Sequence, residues 1–248
     1  MLTVRSGPAA GATALVVLLY ALTASVGLGS AGWFVGVACG LVTGAVVARG
    51  LSRYAGRLGP ADLVTLTRAT LTCGVAALVA DGFVQSPAAA PILALAVAAL
   101  ALDAVDGVVA RRTRTASTFG ARFDGEADAF LMLALSVYVA RSDGWWVLSI
   151  GAARYAFAMA GWALPWLRGQ LPFRYWRKVV TATQGIVLAV AAAHVLPDPL
   201  TQVALAAAAA LLAESFGRDV LWLWRRRRAA PDPRVDADPA PRLPAATS

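Results

Sequence analysis

The chain has 248 residues, of which 59% are hydrophobic and only 15% charged, and its mean hydropathy is +0.66. A soluble domain carries about a quarter charged residues, so a water-soluble globule is excluded, and the apolar content excludes disorder over most of the length. The two cysteines, Cys39 and Cys73, lie inside apolar runs; they exclude a disulfide scaffold and read as core packing. What remains is an all-α, polytopic membrane helix bundle. The formal charge of +8 comes from 22 basic against 14 acidic residues, and every basic residue except Lys178 is arginine. Where the arginines fall decides between a nucleic-acid surface and the charge bias of cytoplasmic loops.

A bilayer core about 30 Å thick needs about 20 apolar residues in a helix. Eight such segments are predicted, over roughly 9–29, 31–48, 61–80, 87–110, 118–140, 145–166, 178–196 and 200–224. Turn signals separate them: Gly29 to Gly32, Gly59-Pro60, Asp81-Gly82, Ser86-Pro87, Ser142-Asp143-Gly144 and Pro197-Asp198-Pro199. Arg49, Arg53 and Arg57 fall between segments two and three. Arg111, Arg112 and Arg114 fall between four and five, and Arg168, Arg174, Arg177 and Lys178 between six and seven. Arg225 to Arg228 follow segment eight, and the loops of the other parity hold only Arg141. The positive-inside rule therefore predicts both termini and the Arg-rich loops in the cytoplasm. Segment one, preceded by Arg5, has the alternative reading of a cleaved signal peptide. The run from Arg225 directly follows Trp222 and Trp224, which reads as a membrane-edge anchor and not as a nucleic-acid patch. From about residue 229 the Pro-, Ala- and Asp-rich composition predicts a disordered cytoplasmic tail. The wealth of Ala and the near-exclusive use of Arg over Lys point to a bacterial source.

Segments four and five carry carboxylates at or inside the ends of apolar helices. Asp103 and Asp106 are spaced i, i+3, and Asp124 and Asp128 are spaced i, i+4, so each pair lies on one helix face. A short connection lets the two helices run antiparallel with these faces opposed. Four negative charges in one small volume need protonation or cations. Oxygen ligands without His or Cys favour a hard cation, Mg²⁺, Mn²⁺ or Ca²⁺; ion pairing with Arg111, Arg112 and Arg122 is the structural alternative. Glu126 points elsewhere and has Arg122 four residues before it as a surface partner. Gly107 and Gly120 remove side chains beside the carboxylates, which lets a bulky ligand approach the backbone. The lone His194 lies near the opposite membrane face and reads as structural.

These residues resemble the CDP-alcohol phosphatidyltransferase family, whose pattern is D-x2-D-G-x2-A-R-x8-G-x3-D-x3-D. Asp103, Asp106, Gly107, Ala110, Arg111, Gly120, Asp124 and Asp128 meet every spacing. The family's N-x2-T-x2-R element has its counterpart in Asp62, Thr65 and Arg68, with Asp in place of Asn, and Lys178-x2-Thr181-x2-Gln184 resembles a further family element. The similarity covers roughly residues 60–224. It implies a six-helix family core over 59–228, preceded by two additional transmembrane helices and a basic loop over 1–58. It also implies transfer of a phosphatidyl-type group from a CDP-linked lipid, CDP-diacylglycerol, to an alcohol with release of CMP, in phospholipid biosynthesis. The same resemblance implies a homodimer with its site open to the cytoplasm. Asp103, Asp106, Asp124 and Asp128 would bind two divalent ions, Mg²⁺ or Mn²⁺, and Asp128 would also be the general base. Gly107, Ala110, Arg111 and Gly120 would line the CDP pocket with Thr65 and Asp62 nearby.

The other intramembrane cations, Arg68, Arg154, Lys178 and Arg218, are candidates for the acceptor pocket. They suit a phosphorylated polyol such as glycerol 3-phosphate or inositol phosphate, with serine or a lipid acceptor left open; for Arg218, Glu214 four residues earlier offers an ion pair instead. From other function classes, an ion- or proton-coupled transporter and a non-catalytic family member are the competing readings. Clustering of the charges at one end, without a path across, speaks against the transporter.

Overall fold

The computed structural model describes residues 2–3, 6–54, 57–58, 60–85, 89–113, 118–169 and 175–229. Among these residues it contains eight α-helices: α1 (Ser6–Val26), α2 (Ser30–Tyr54), α3 (Pro60–Asp81), α4 (Ala89–Thr113), α5 (Thr118–Asp143), α6 (Leu148–Ala163), α7 (Tyr175–Ala192) and α8 (Asp198–Ala229). Short 3₁₀ turns at Trp145–Val147 and Pro165–Arg168 flank α6. A two-residue antiparallel ribbon pairs Leu2–Thr3 with Arg57–Leu58. Each helix falls on one predicted segment, and the tail after residue 229 lies outside the described residues.

Local sequence sets the boundaries. Gly27, at φ 70°, stops α1 in a left-handed conformation that costs glycine nothing, and Gly144, at φ 104°, separates α5 from the next turn. Pro60 opens α3 at a position where its missing N–H is not needed, and Asp62 faces the positive end of the same helix. Pro165 forces Leu164 out of helical geometry, to φ −124° and ψ 89°, and so ends α6.

Among the described residues, four helices are long and apolar enough to cross a membrane, with spans Gly7–Val26, Ser30–Gly50, Asp62–Asp81 and Asp198–Arg227, and Ala89–Val105 is a shorter apolar stretch. The other segments read as spans fall short for definable reasons. The acidic residues load α5, Pro165 holds α6 to 16 residues, and α7 opens on Arg177 and Lys178. The chain is an integral membrane bundle whose centre is α3: 67% of its span is buried, against 17% for α1 and for α2. It packs on α1, α2, α4 and α5.

The α1–α2 pair is closed by small residues. Leu28, Leu19 and Leu15 lie against Gly32, Gly36 and Gly40, one per turn of α2, so the two helices approach without intervening side chains. Leu15, Leu19 and Leu22 of α1 belong to the main core with Cys73, Leu131 and Leu135. Cys39 packs on that core and Cys73 is buried in it, as expected.

Candidate active site

Helices α4 and α5 both pack on α3. Ligand oxygens of Asp103, Asp124 and Asp128 all lie within 4.8 Å of one another. The side chains of Asp106, Gly107, Ala110 and Arg111 lie outside the described residues. The counter-charge to the three aspartates is Arg68, a residue grouped in the sequence with the acceptor cations. Its guanidinium donates to Asp103 at 2.5 Å, to an oxygen of Asp124, and to the Asp124 carbonyl at 3.1 Å, and it stands 3.3 Å from Asp128. Its side chain is 1% exposed, against 45% for Asp103, 38% for Asp124 and 22% for Asp128. Arg68 is therefore a buried anchor behind the carboxylates and is not on the cavity wall. Pairing across 35 and 56 residues of sequence carries no local signal; the side chains of Arg111 and Arg112, the alternative partners, lie outside the described residues.

The carboxylates open onto a cavity of about 470 Å³ between α4, α5, α6, α7 and α8. Arg154 and Lys178 line it, and so do Arg177, Thr181, Ser215 and Asp219. Arg154 also bridges to Glu126 at 2.7 Å, a cross-helix pairing for a residue whose sequence neighbour was Arg122. Gly125 makes room for it: an added Cβ there would stand 3.3 Å from the Arg154 guanidinium. Arg218 is absent from the cavity wall and pairs with Glu214. Asp62 and Thr65 are buried on α3 on the stripe that leads to Arg68, and Gly120 lies one turn before Asp124 on α5.

Two groups escaped sequence reasoning. Arg177 faces Asp219 at 3.5 Å across the α7–α8 contact. Ser215 and Asp219, spaced i, i+4, put a polar face of α8 on the cavity, and that spacing is a readable signal. His194 is remote, at φ 49° beyond α7, with Nδ1 3.1 Å from the Ala192 carbonyl and its ring edge-on to Tyr138, as a structural histidine.

Among the described contacts, three carboxylates share one guanidinium at a protein–cavity boundary. The donors are all oxygen, so they fit a hard divalent cation better than a soft metal. Arg68 is fully used toward the aspartates except at Nε, which has no hydrogen-bond partner among the described residues. One cavity thus joins the acidic, cation-fitting cluster to the cationic side chains of Arg154, Arg177 and Lys178. The sequence model of the CDP-alcohol phosphatidyltransferase family matches residues 58–214, more than half of the chain, and the protein belongs to that family. The family's activity in general is phosphotransfer from a CDP-alcohol to an alcohol acceptor, and its members depend in general on a divalent metal. No curated protein and no solved structure shows a significant match to the chain.

Proposed function

We propose that the protein transfers the phosphatidyl group of CDP-diacylglycerol to a phosphorylated polyol, such as glycerol 3-phosphate or inositol phosphate, and releases CMP. The observation that carries this reading is the shared cavity: Asp103, Asp124 and Asp128 occupy one side, and Arg154 and Lys178 belong to the same wall. Asp103, Asp106, Asp124 and Asp128 would hold two divalent cations, Mg²⁺ or Mn²⁺. Bound there, such cations offset the charge of the CDP-lipid diphosphate and stabilise the departing CMP.

The chain's own residues do the rest. Arg68 holds α4 and α5 at a fixed separation through its contacts to Asp103 and Asp124, so the carboxylates are oriented before substrate arrives. Arg154 and Lys178 bind the acceptor's phosphate and aim its hydroxyl at the lipid-side phosphorus. A carboxylate oxygen of Asp128 takes the hydroxyl proton as the new O–P bond forms. The P–O bond to CMP breaks in the same displacement, and CMP leaves with the electron pair. Gly107, Ala110, Arg111 and Gly120, with Thr65 and Asp62, form the CDP side of the site. The distribution of arginines supports a multi-pass bacterial cell-membrane protein with its termini and site cytoplasmic, and the family reading supports a homodimer.

The test is CMP release by the purified protein with CDP-diacylglycerol, Mg²⁺ or Mn²⁺, and a panel of acceptors. Release should require the metal and be strongest with a phosphorylated polyol. Asp128→Asn should lower turnover by about 10²- to 10⁴-fold while the folded yield stays normal. Efficient transfer to serine or to an uncharged lipid alcohol, or an unimpaired Asp128→Asn enzyme, would overturn the reading.

A further inference from the structure

The family match begins at residue 58, so α1 and α2 lie outside it, yet they do not stand apart from the site. A second, smaller apolar cluster joins Val47 of α2, Leu66 and Ala69 of α3, and Phe119, Phe123 and Ala127 of α5. The members are sequence neighbours of the site: Ala69 follows Arg68, Phe123 precedes Asp124, and Ala127 precedes Asp128. Phe119 and Phe123 stack one turn apart, with ring centroids 5.8 Å apart and planes inclined by 4°. The face of α5 that joins this cluster thus flanks the face that bears the carboxylates, roughly a quarter-turn or more round the helix. Contact is closest at Gly50, where the Phe119 ring lies so near the helix backbone that an added Cβ would fall on it. The α1–α2 hairpin is also pinned to α3 at its other end, where the backbone N–H of Gly29 donates to both oxygens of Asp81 at 3.1 Å.

We infer that α2 is a positioning element of the active site: Val47 and Gly50 seat the Phe119–Phe123 stack and thereby fix the turn of α5 that carries Asp124 and Asp128. Packed interiors transmit small displacements because they hold few voids. A ring pushed off Gly50 therefore moves the start of α5, and the carboxylates with it, relative to Asp103 on α4. Arg68 holds α5 at Asp124 and Asp128, whereas Phe119 lies more than one turn earlier, so the two supports act on α5 at different points. The additional hairpin is in this way a working part of the site. The inference rests on the reading of the aspartates as cation ligands.

Full-length wild type, Gly50→Ala, Val47→Ala, Phe119→Ala and the double variant Gly50→Ala/Phe119→Ala are compared for Mn²⁺ binding, for the Mg²⁺ concentration that half-saturates CMP release, and for thermal stability. Gly50→Ala should weaken Mn²⁺ binding and raise the Mg²⁺ requirement by about tenfold. In the Phe119→Ala background the same change should do nothing further, because the ring it collides with is gone. Val47→Ala, which removes atoms and inserts none, should weaken Mn²⁺ binding by a smaller factor, and it carries the test if Gly50→Ala does not fold. A purely structural hairpin would lower thermal stability and leave the metal affinity of the folded fraction unchanged; that result overturns the inference. A wild type that binds no Mn²⁺ overturns the cation reading and this inference with it. A wild type that binds Mn²⁺ beside folded variants that bind it equally well overturns the inference alone.

Discussion

The bundle places carboxylates inside helices at both ends, and the two ends treat them differently. At the far end Asp81 is buried and satisfied: both oxygens accept from the Gly29 N–H, and the contact ties the α1–α2 turn to α3. At the site end Asp103, Asp124 and Asp128 share one guanidinium and stay partly open to a cavity. An ionised carboxylate within a membrane bundle costs several kcal/mol unless it is compensated. The first arrangement meets its carboxylate with a backbone N–H and closes. The second shares one guanidinium among three carboxylates in the described contacts and stays open to the cavity. That difference separates a structural aspartate from functional ones more sharply than burial alone.

Removing Arg68 attacks the contrast most directly. Arg68→Met keeps the volume and leaves the three carboxylates with no fixed counter-charge among their described contacts. Breaking a fully buried pair costs about 3–5 kcal/mol, and because these carboxylates meet the cavity, water lowers the expected loss to roughly 2 kcal/mol. Turnover should fall by about 10²-fold, since the orientation of α4 against α5 is lost. The stability loss should be seen in EDTA and shrink on adding Mg²⁺, while wild type responds less to the metal. Thermal unfolding with and without Mg²⁺, beside CMP release, checks both. A variant as stable in EDTA as wild type would mean that Arg68 is not the counter-charge.

Asp81→Ala is the matching change at the closed end. It leaves the Gly29 N–H without its acceptor, at a cost of about 1–3 kcal/mol, and CMP release per folded molecule should stay near wild type. A loss of turnover comparable to that of Arg68→Met, measured on protein of equal folded fraction, would break the distinction between the two ends.

The carboxylate spacing was legible before any coordinates because helical periodicity is local: i, i+3 and i, i+4 pairs face one way in any helix. The eight segments were legible for the same reason, as were the breaks at Asp81-Gly82 and Ser142 to Gly144. Contacts set by three-dimensional packing were not. Arg68 meets Asp103 and Asp124 across 35 and 56 residues, and Glu126 meets Arg154 across 28, so no local spacing announces these pairs. The glycines at 32, 36 and 40 form an every-fourth pattern that sequence displays plainly. Hydropathy alone registers such a stretch as apolar and misses its use as a packing face. The role of Phe119 and Phe123 was invisible for a related reason: an aromatic pair at helical spacing reads as core until the helix on its other side is known.

The smallest expected effect lies at the cavity's own edge and tests whether its cations are held in reserve for the acceptor. Arg154 lines the cavity while bridging to Glu126, and both side chains are about half exposed. A pair this open contributes about 0–1 kcal/mol, so an acceptor phosphate can draw Arg154 away from Glu126 at little cost. Glu126→Gln removes that competition and should lower KM for a phosphorylated acceptor by up to about fivefold, with kcat unchanged because Glu126 touches none of the three clustered aspartates among the described contacts. Arg154→Ala should move KM in the opposite direction. Steady-state kinetics with the acceptor varied at saturating CDP-lipid separates the two parameters. If Glu126→Gln raises KM instead, the ion pair holds Arg154 in its binding position, and the open end of the bundle is more tightly preorganised than its exposure implies.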